Sequence, residues 1–152
     1  MINVYWAAPL FNDGDCAFNR VMKAGVEACG NIAVLLPQDA HIDFSDDGWQ
    51  RKVFLDNAIH IEACDVVCAV LDGCMVDDGT AWEVGYAYGI VKPVVGIHTD
   101  IRSVGVEGRV NLMIEEACWK VISSNSLPMD IDDMCARIFH AVTDVRWEYT
   151  GL

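Results

Sequence analysis

Short apolar runs alternate along the chain with segments whose apolar residues recur at helical spacing. Residues 2–7 form the first run, which Pro9 and Asn12-Asp13-Gly14 break. Residues 15–29 carry Phe18, Val21, Met22, Gly25 and Val26 at helical spacing, and Gly30 follows as a stop. A second strand is predicted over 32–36, closed by Pro37, and residues 38–48 read as a polar, acidic surface loop. A helix over 49–63, a strand over 65–71, a helix over 80–90 and a strand over 93–98 follow. Residues 99–108 read as a loop with Gly105 and Gly108, and 111–116 as a short helix. A fifth strand over 118–123 and a last helix over 129–142 complete the alternation. This order predicts an α/β fold: a flavodoxin-like, doubly wound sheet of five parallel strands, order 2-1-3-4-5, with helices on both faces. At 152 residues the chain is read as one domain, 1–152.

Two helices are too apolar for the surface of a monomer. In 49–63, Val53, Asn57 and Ile61 share one side, yet Leu55 and Ile59 lie on the other. In 80–90, apolar side chains go all the way round. Apolar residues make up 53% of the chain, and no run is long enough to span a membrane. The N-terminus lacks the basic region of a signal peptide. The surplus apolar surface is therefore expected at subunit interfaces.

The net charge of -13 argues against nucleic acid as a partner, since no basic patch is visible. No Lys or Arg occurs between Lys52 and Lys92, which disfavours a highly charged phosphate ligand near that stretch. The seven cysteines are odd in number and several sit in apolar segments, which predicts free thiols in a reducing cytosol. Their spacing is not that of a zinc site, and neither a metal nor a cofactor is expected.

The segment 71–87 carries the candidate chemistry. An apolar run empties into an acidic, glycine-punctuated loop that opens a helix, the place where open α/β sheets keep their sites. On that helix Glu83 stands among Trp82, Val84 and Tyr86, poorly placed for solvent and in need of a partner or a function. Tyr5 on the first strand, Asp56 on the helix before the third strand and Asp77 in the loop complete a set of polar groups in apolar surroundings. A pocket of carboxylates and a phenol without cations fits glycosyl transfer, in which one carboxylate meets an oxocarbenium-like carbon and another handles the leaving group's proton. Each residue has a plainer reading. Thr80 and Glu83 fit a capping box, Asp77 can face the helix dipole, Tyr5 can be a core tyrosine, and Asp56 can pair with Lys52 or His60. Glycines 73, 79 and 85 are six apart and form no dinucleotide fingerprint, and no P-loop is present. A receiver domain would use Asp72 but needs acidic residues where Ala7-Ala8-Pro9-Leu10 stands.

Three stretches resemble the nucleoside 2-deoxyribosyltransferase family. They are Val4-Tyr5-Trp6-Ala7-Ala8-Pro9-Leu10-Phe11, the block from Cys64 through Asp77-Asp78-Gly79-Thr80-Ala81-Trp82-Glu83 to Lys92-Pro93-Val94, and Asn111-Leu112-Met113. The resemblance implies retaining exchange of the base on a 2'-deoxynucleoside, with nucleoside and free nucleobase as the small-molecule partners. Glu83 would be the nucleophile, Tyr5 its orienting partner, and Asp56 the group that contacts the base and passes its proton. Asp77 would bind sugar hydroxyls. Asn111, with Met113 nearby, would reach the sugar's 5' end from an adjacent subunit. Gly79 is placed with the substrate-binding residues, and Trp6, Phe11 and Trp49 are candidates for stacking on the base. The expected assembly is a cytoplasmic homo-oligomer, a hexamer or another even-numbered form, with sites shared between subunits. The competing readings are a 2'-deoxynucleoside 5'-monophosphate N-glycosidase using the same Glu and a non-catalytic nucleoside- or nucleotide-binding module. The tail 146–152 does not match the family pattern and carries no expectation.

Overall fold

The computed structural model describes residues 1–100, 110–124 and 127–150, and side chains as far as Val145. The expected loop positions Gly105 and Gly108, and the end of the tail, lie outside the described residues. The elements in chain order are β1 (Ile2–Ala7), α1 (Asp13–Cys29), β2 (Ile32–Leu35), α2 (Trp49–Ala63), β3 (Val66–Val70), α3 (Asp78–Gly89), β4 (Val94–His98), α4 (Leu112–Glu115), β5 (Lys120–Ser123) and α5 (Ile131–Thr150). A 3-10 turn, Pro37–Asp39, interrupts the acidic loop before α2. The strands form one parallel sheet in the order β2-β1-β3-β4-β5, as the alternation predicts.

Alternation along the strands divides the interior in two. Val4 and Trp6 of β1, Cys68 of β3 and Ile97 of β4 meet Met22 and Val26 of α1 and Met134, Ile138 and Val142 of α5. Tyr5 and Ala7 of β1, Val67 and Ala69 of β3 and Val94 of β4 meet Ile61 of α2 and Val84 and Ala87 of α3. Every residue of β3 is buried, because this central strand is covered on both faces. The second face, under α2 and α3, carries Tyr5.

Helix boundaries follow their caps. Asn12 accepts from the Asp15 N–H at 3.0 Å, so α1 starts at Asp13, earlier than the apolar spacing indicates. The last helix continues to Thr150, beyond the expected end at Val142. Helix α2 has the predicted bounds. After β3, Gly73 adopts φ +104°, and a Cβ there would lie 2.9 Å from the Met75 carbonyl oxygen, so this turn requires glycine.

Helices α2 and α3 leave large apolar side chains outside. Phe54, Leu55 and Ile59 are exposed on α2, as are Trp82 and Tyr88 on α3, with Ile90 and Val91 just beyond it. Trp82 stacks on Tyr86 at 5.1 Å between ring centroids and meets Phe54 at 5.1 Å. This is the surface for which the apolar pattern of the sequence raises the expectation of a neighbour.

The end of α3 stores local strain. The Lys92 N–H reaches the Ala87 carbonyl at 2.8 Å and the Val91 N–H reaches Tyr88 at 3.0 Å, the two bonds of a Schellman motif. Its left-handed position, normally glycine, is Val91 at φ 59°. A β-branched residue is disfavoured there, so Val91→Gly is expected to stabilise the fold by about 1 kcal/mol despite glycine's greater unfolded-state entropy. Urea unfolding checks this; a lower midpoint in the variant contradicts the strain.

Candidate active site

The site forms where β1 and β3 deliver their carboxyl ends to the start of α3. Asp77 is the N-cap of α3: its Oδ2 accepts from the Thr80 N–H at 3.0 Å and the Thr80 hydroxyl at 3.3 Å. Thr80 is buried, whereas Asp77 is half-buried and Asp78 and Gly79 are exposed. A Cβ at Gly79 would come within 3.2 Å of Asp77 Oδ2, so glycine leaves that carboxylate room. The capping box over 80–83 is not formed. With the helix starting at Asp78, Thr80 and Glu83 both lie inside it, and Glu83 is too far along to reach back to the cap.

Glu83 is thereby free for another partner. It projects from the stripe of α3 that buries Thr80, Val84 and Ala87 against the sheet. The Tyr5 hydroxyl, from the adjoining face of β1, donates to Glu83 Oε1 at 2.5 Å. Burial, above all, pushes the Glu83 carboxyl up to about 7; the Tyr5 hydrogen bond pulls it down and the nearby Asp77 charge pushes it further up. Burial, with the Glu83 charge and hydrogen bond, raises the Tyr5 phenol far above its ordinary range. Tyr5 is therefore a permanent donor, and Glu83 titrates near neutrality. One oxygen of Glu83 is held and the other makes no hydrogen bond among the described residues. Chemically this is an oriented carboxylate with one oxygen left to act as a nucleophile.

The remaining expected residues are dispersed around this pair. Asp56 is an exposed side chain of α2 and forms no hydrogen bond or ion pair among the described residues. The Lys52 ammonium, one of its expected partners, instead pairs with Asp46. Asn111 caps α4, its Oδ1 accepting from the Met113 N–H at 2.9 Å, and Met113 is exposed. Phe11 is exposed on the turn after β1, while Trp49 is half-buried with its ring edge against Phe44. Trp6 requires a correction. It is 1% exposed, packs under α1 and α5 on the face opposite Tyr5, and donates its indole N–H to Asn19 Oδ1 at 3.1 Å. Strand alternation turns it away from the site, so it does not stack on a base.

Sequence reading missed Asp72 as a structural group. Its carboxylate accepts from the Thr99 N–H at 2.5 Å, the Asp100 N–H at 3.0 Å and the Thr99 hydroxyl. It ties the loop after β3 to the loop after β4. Its position at the end of an apolar run was the available signal, but a partner 27 residues away is not local information. Among the described residues, no cluster of His, Cys, Asp or Glu is placed to hold a metal ion, and no helix is long and apolar enough to cross a membrane.

A half-buried carboxylate steadied by a phenol at this edge of a doubly wound sheet defines an α/β protein with chemistry suited to glycosyl transfer. Comparison with known proteins narrows the class. The sequence profile described as nucleoside 2-deoxyribosyltransferase matches residues 4–134, and the chain belongs to that family. Its activity is that of the family, transfer of 2-deoxyribosyl groups in nucleoside salvage. A conserved protein from Enterococcus faecalis V583 is similar over 93% of this chain and 99% of its own, with 26% identity and a TM-score of 0.76. A 2-deoxyribosyltransferase from Leishmania mexicana is 25% identical over 75% of this chain and 85% of its own, with a TM-score of 0.59. The 2-deoxyribosyltransferase from the psychrotolerant Bacillus psychrosaccharolyticus shares the fold, with a TM-score of 0.69 and 24% identity over 92% of this chain and 95% of its own. Among curated proteins, none matches significantly.

The raised Glu83 value has a thermodynamic consequence. A carboxyl whose folded value lies above its unfolded one favours folding while protonated, and that contribution is lost as pH rises from the ordinary 4.5 through about 7. Glu83→Gln removes the ionisable group, so its stability relative to the native protein should rise between pH 5 and pH 8, by up to a few kcal/mol. Paired thermal melts at the two pH values test this. A Tm difference independent of pH would show that Glu83 does not titrate with folding.

Proposed function

We propose that the protein exchanges the base of a 2'-deoxynucleoside by a retaining, two-step displacement through a covalent ester on Glu83. In the first step the free Glu83 oxygen attacks the anomeric carbon and the C–N bond to the base breaks. Asp56 supplies the proton that the departing base needs. In the second step a nitrogen of the incoming base attacks the same carbon and gives its proton back to Asp56, the ester breaks, and Glu83 is restored as the carboxylate. The Tyr5–Glu83 hydrogen bond carries this reading, because it presents one oxygen and leaves the other unengaged. Tyr5 remains protonated throughout and holds the carboxylate through both steps.

The other roles are assigned on the family pattern. Asp77 has its second oxygen beyond the helix cap for sugar hydroxyls, with Gly79 leaving the approach open. Phe11 offers an exposed ring for the base. Asn111 and Met113 belong to the site of an adjacent subunit, within a homo-oligomer of even number, a hexamer among the candidates. The exposed apolar surface of α2 and α3 supports assembly, and exposed Leu112 and Met113 on α4 support a contribution across an interface. A neutral nucleoside is favoured over a nucleotide. The cations bounding the cation-free stretch are both engaged, Lys52 by Asp46 and Lys92 by the Glu62 and Cys64 carbonyls. These free thiols and the charge suit a cytoplasmic enzyme.

Incubation with deoxyinosine and free adenine should yield deoxyadenosine and hypoxanthine. The exchange kcat/KM should rise with pH through about 7, as Glu83 ionises. Glu83→Gln should fold and lose exchange by about three orders of magnitude or more. Near-native turnover in that variant defeats the nucleophile assignment, and base release without exchange points to hydrolysis instead.

Shared sites predict complementation. Glu83→Ala and Asn111→Ala damage different halves of one composite site, so inactive variants unfolded and refolded together should regain activity well above either alone. A mixture that stays inactive while the native protein refolds well assigns Asn111 to its own chain or to no site.

A further inference from the structure

Asn19 is a buried polar group that the displacement chemistry does not use. It lies on α1, 3% exposed, on the sheet face opposite Glu83 and amid the apolar contacts of Met22 and Val26. Its amide is engaged on three sides. Oδ1 accepts from the Trp6 indole N–H at 3.1 Å; Nδ2 donates to the Pro9 carbonyl at 3.0 Å and to Gln38 Oε1 at 2.9 Å. The partners fix the amide's orientation, because an indole N–H only donates and a proline carbonyl only accepts. Gln38 in turn donates to the Cys16 carbonyl at 3.0 Å, and Cys16 donates its thiol to the Leu10 carbonyl at 3.3 Å. A leucine would fill this space without the desolvation of an amide. What the amide adds is a set of directions: it ties β1, the turn after β1 and the turn after β2 to a single point on α1.

The turn so held is the one that carries Phe11, whose ring is 78% exposed. Loops at the edge of a sheet are ordinarily its most mobile parts, and substrate binding weakens when a contacting ring is not held in place. Here the carbonyls of the two residues preceding Phe11 are both anchored to α1. We infer that Asn19 is a positioning residue for base recognition: it holds the Pro9–Leu10 backbone so that Phe11 is presented to the nucleobase. This rests on the exchange reading above and assigns part of its specificity to the face of the sheet away from Glu83. Donor nucleoside and acceptor base both place a base against this turn, so both are affected. The carbon–nitrogen chemistry at Glu83 is not.

Asn19→Asp keeps the acceptor for Trp6 and loses both donors, setting a carboxylate against the Pro9 carbonyl. In a folded variant, KM for donor nucleoside and acceptor base should each rise about tenfold. At saturation, kcat should stay within about threefold of the native value. Gln38 is half-buried and more tolerant, and Gln38→Met should raise the same KM values about threefold. If Asn19→Asp does not fold, Gln38→Met alone decides. Native KM in the deciding variant, or a fall in kcat with KM unchanged, overturns the inference. Native protein that exchanges no base removes the underlying reading as well; native exchange with unaltered variants removes the Asn19 role alone.

Discussion

The hydrogen bond from Tyr5 to Glu83 is the interaction on which the site depends, and it exists because a carboxylate is held half-buried at the edge of a sheet. Burial alone would leave Glu83 neutral at physiological pH and useless as a nucleophile. A cation would ionise it, but would also draw it into an ion pair and lower its reactivity. The phenol does neither: it donates a proton it does not give up and occupies one oxygen only. The result is a group that ionises near 7, available yet reactive. The absence of Lys and Arg from 53–91 is part of the same arrangement, as is the apolar character of α3.

That arrangement also constrains how α3 begins. A helix N-terminus needs a side-chain acceptor, and both Asp77 and Thr80 could supply it in the sequence. Asp77 takes it, and the helix starts early enough that Glu83 lies beyond the reach of its cap. The two carboxylates then divide the work by environment. Asp77 meets N–H and hydroxyl donors, whereas Glu83 meets a phenol and apolar neighbours. Their mutual repulsion adds to the elevation of the buried one.

Sheet order was legible because it follows from local pattern. Alternating apolar runs and helical segments leave few topologies, and in a 2-1-3-4-5 sheet β1 and β3 are neighbours. Tyr5 and the loop around Asp77 could therefore be placed at one edge before any distance was known, while the pairing of Tyr5 with Glu83 was implied only by the family resemblance. The cap was not legible, because Asp77 and Thr80 are both good caps and three residues decide between them. Trp6 was misplaced for a different reason. In a strand buried on both faces, hydropathy does not tell which face is the active one, and only the pairing of Tyr5 with α3 settles that Trp6 points the other way. The reach of α5 to Thr150 was hidden as well, since the apolar spacing weakens where helix continues. Asp56 stays an expectation of the family pattern, for its exposed position on α2 shows no partner among the described residues.

Strand β1 joins the two halves of the molecule in a specific way. Neighbouring residues on it point to opposite faces, so Tyr5 and Trp6 stand back to back across the sheet. Tyr5 ends at Glu83, and Trp6 ends at the Asn19 amide. A shift of β1 relative to either helix layer would disturb both bonds together. The parallel ladders to β2 and β3 resist such a shift, since β1 is paired on both sides. The carboxylate proposed for the displacement and the turn proposed to meet the base are thus referenced to one strand. Precision of that kind matters to the proposed two-step displacement, in which the anomeric carbon meets first the carboxylate and then the incoming base while the turn proposed to meet the base stays in place.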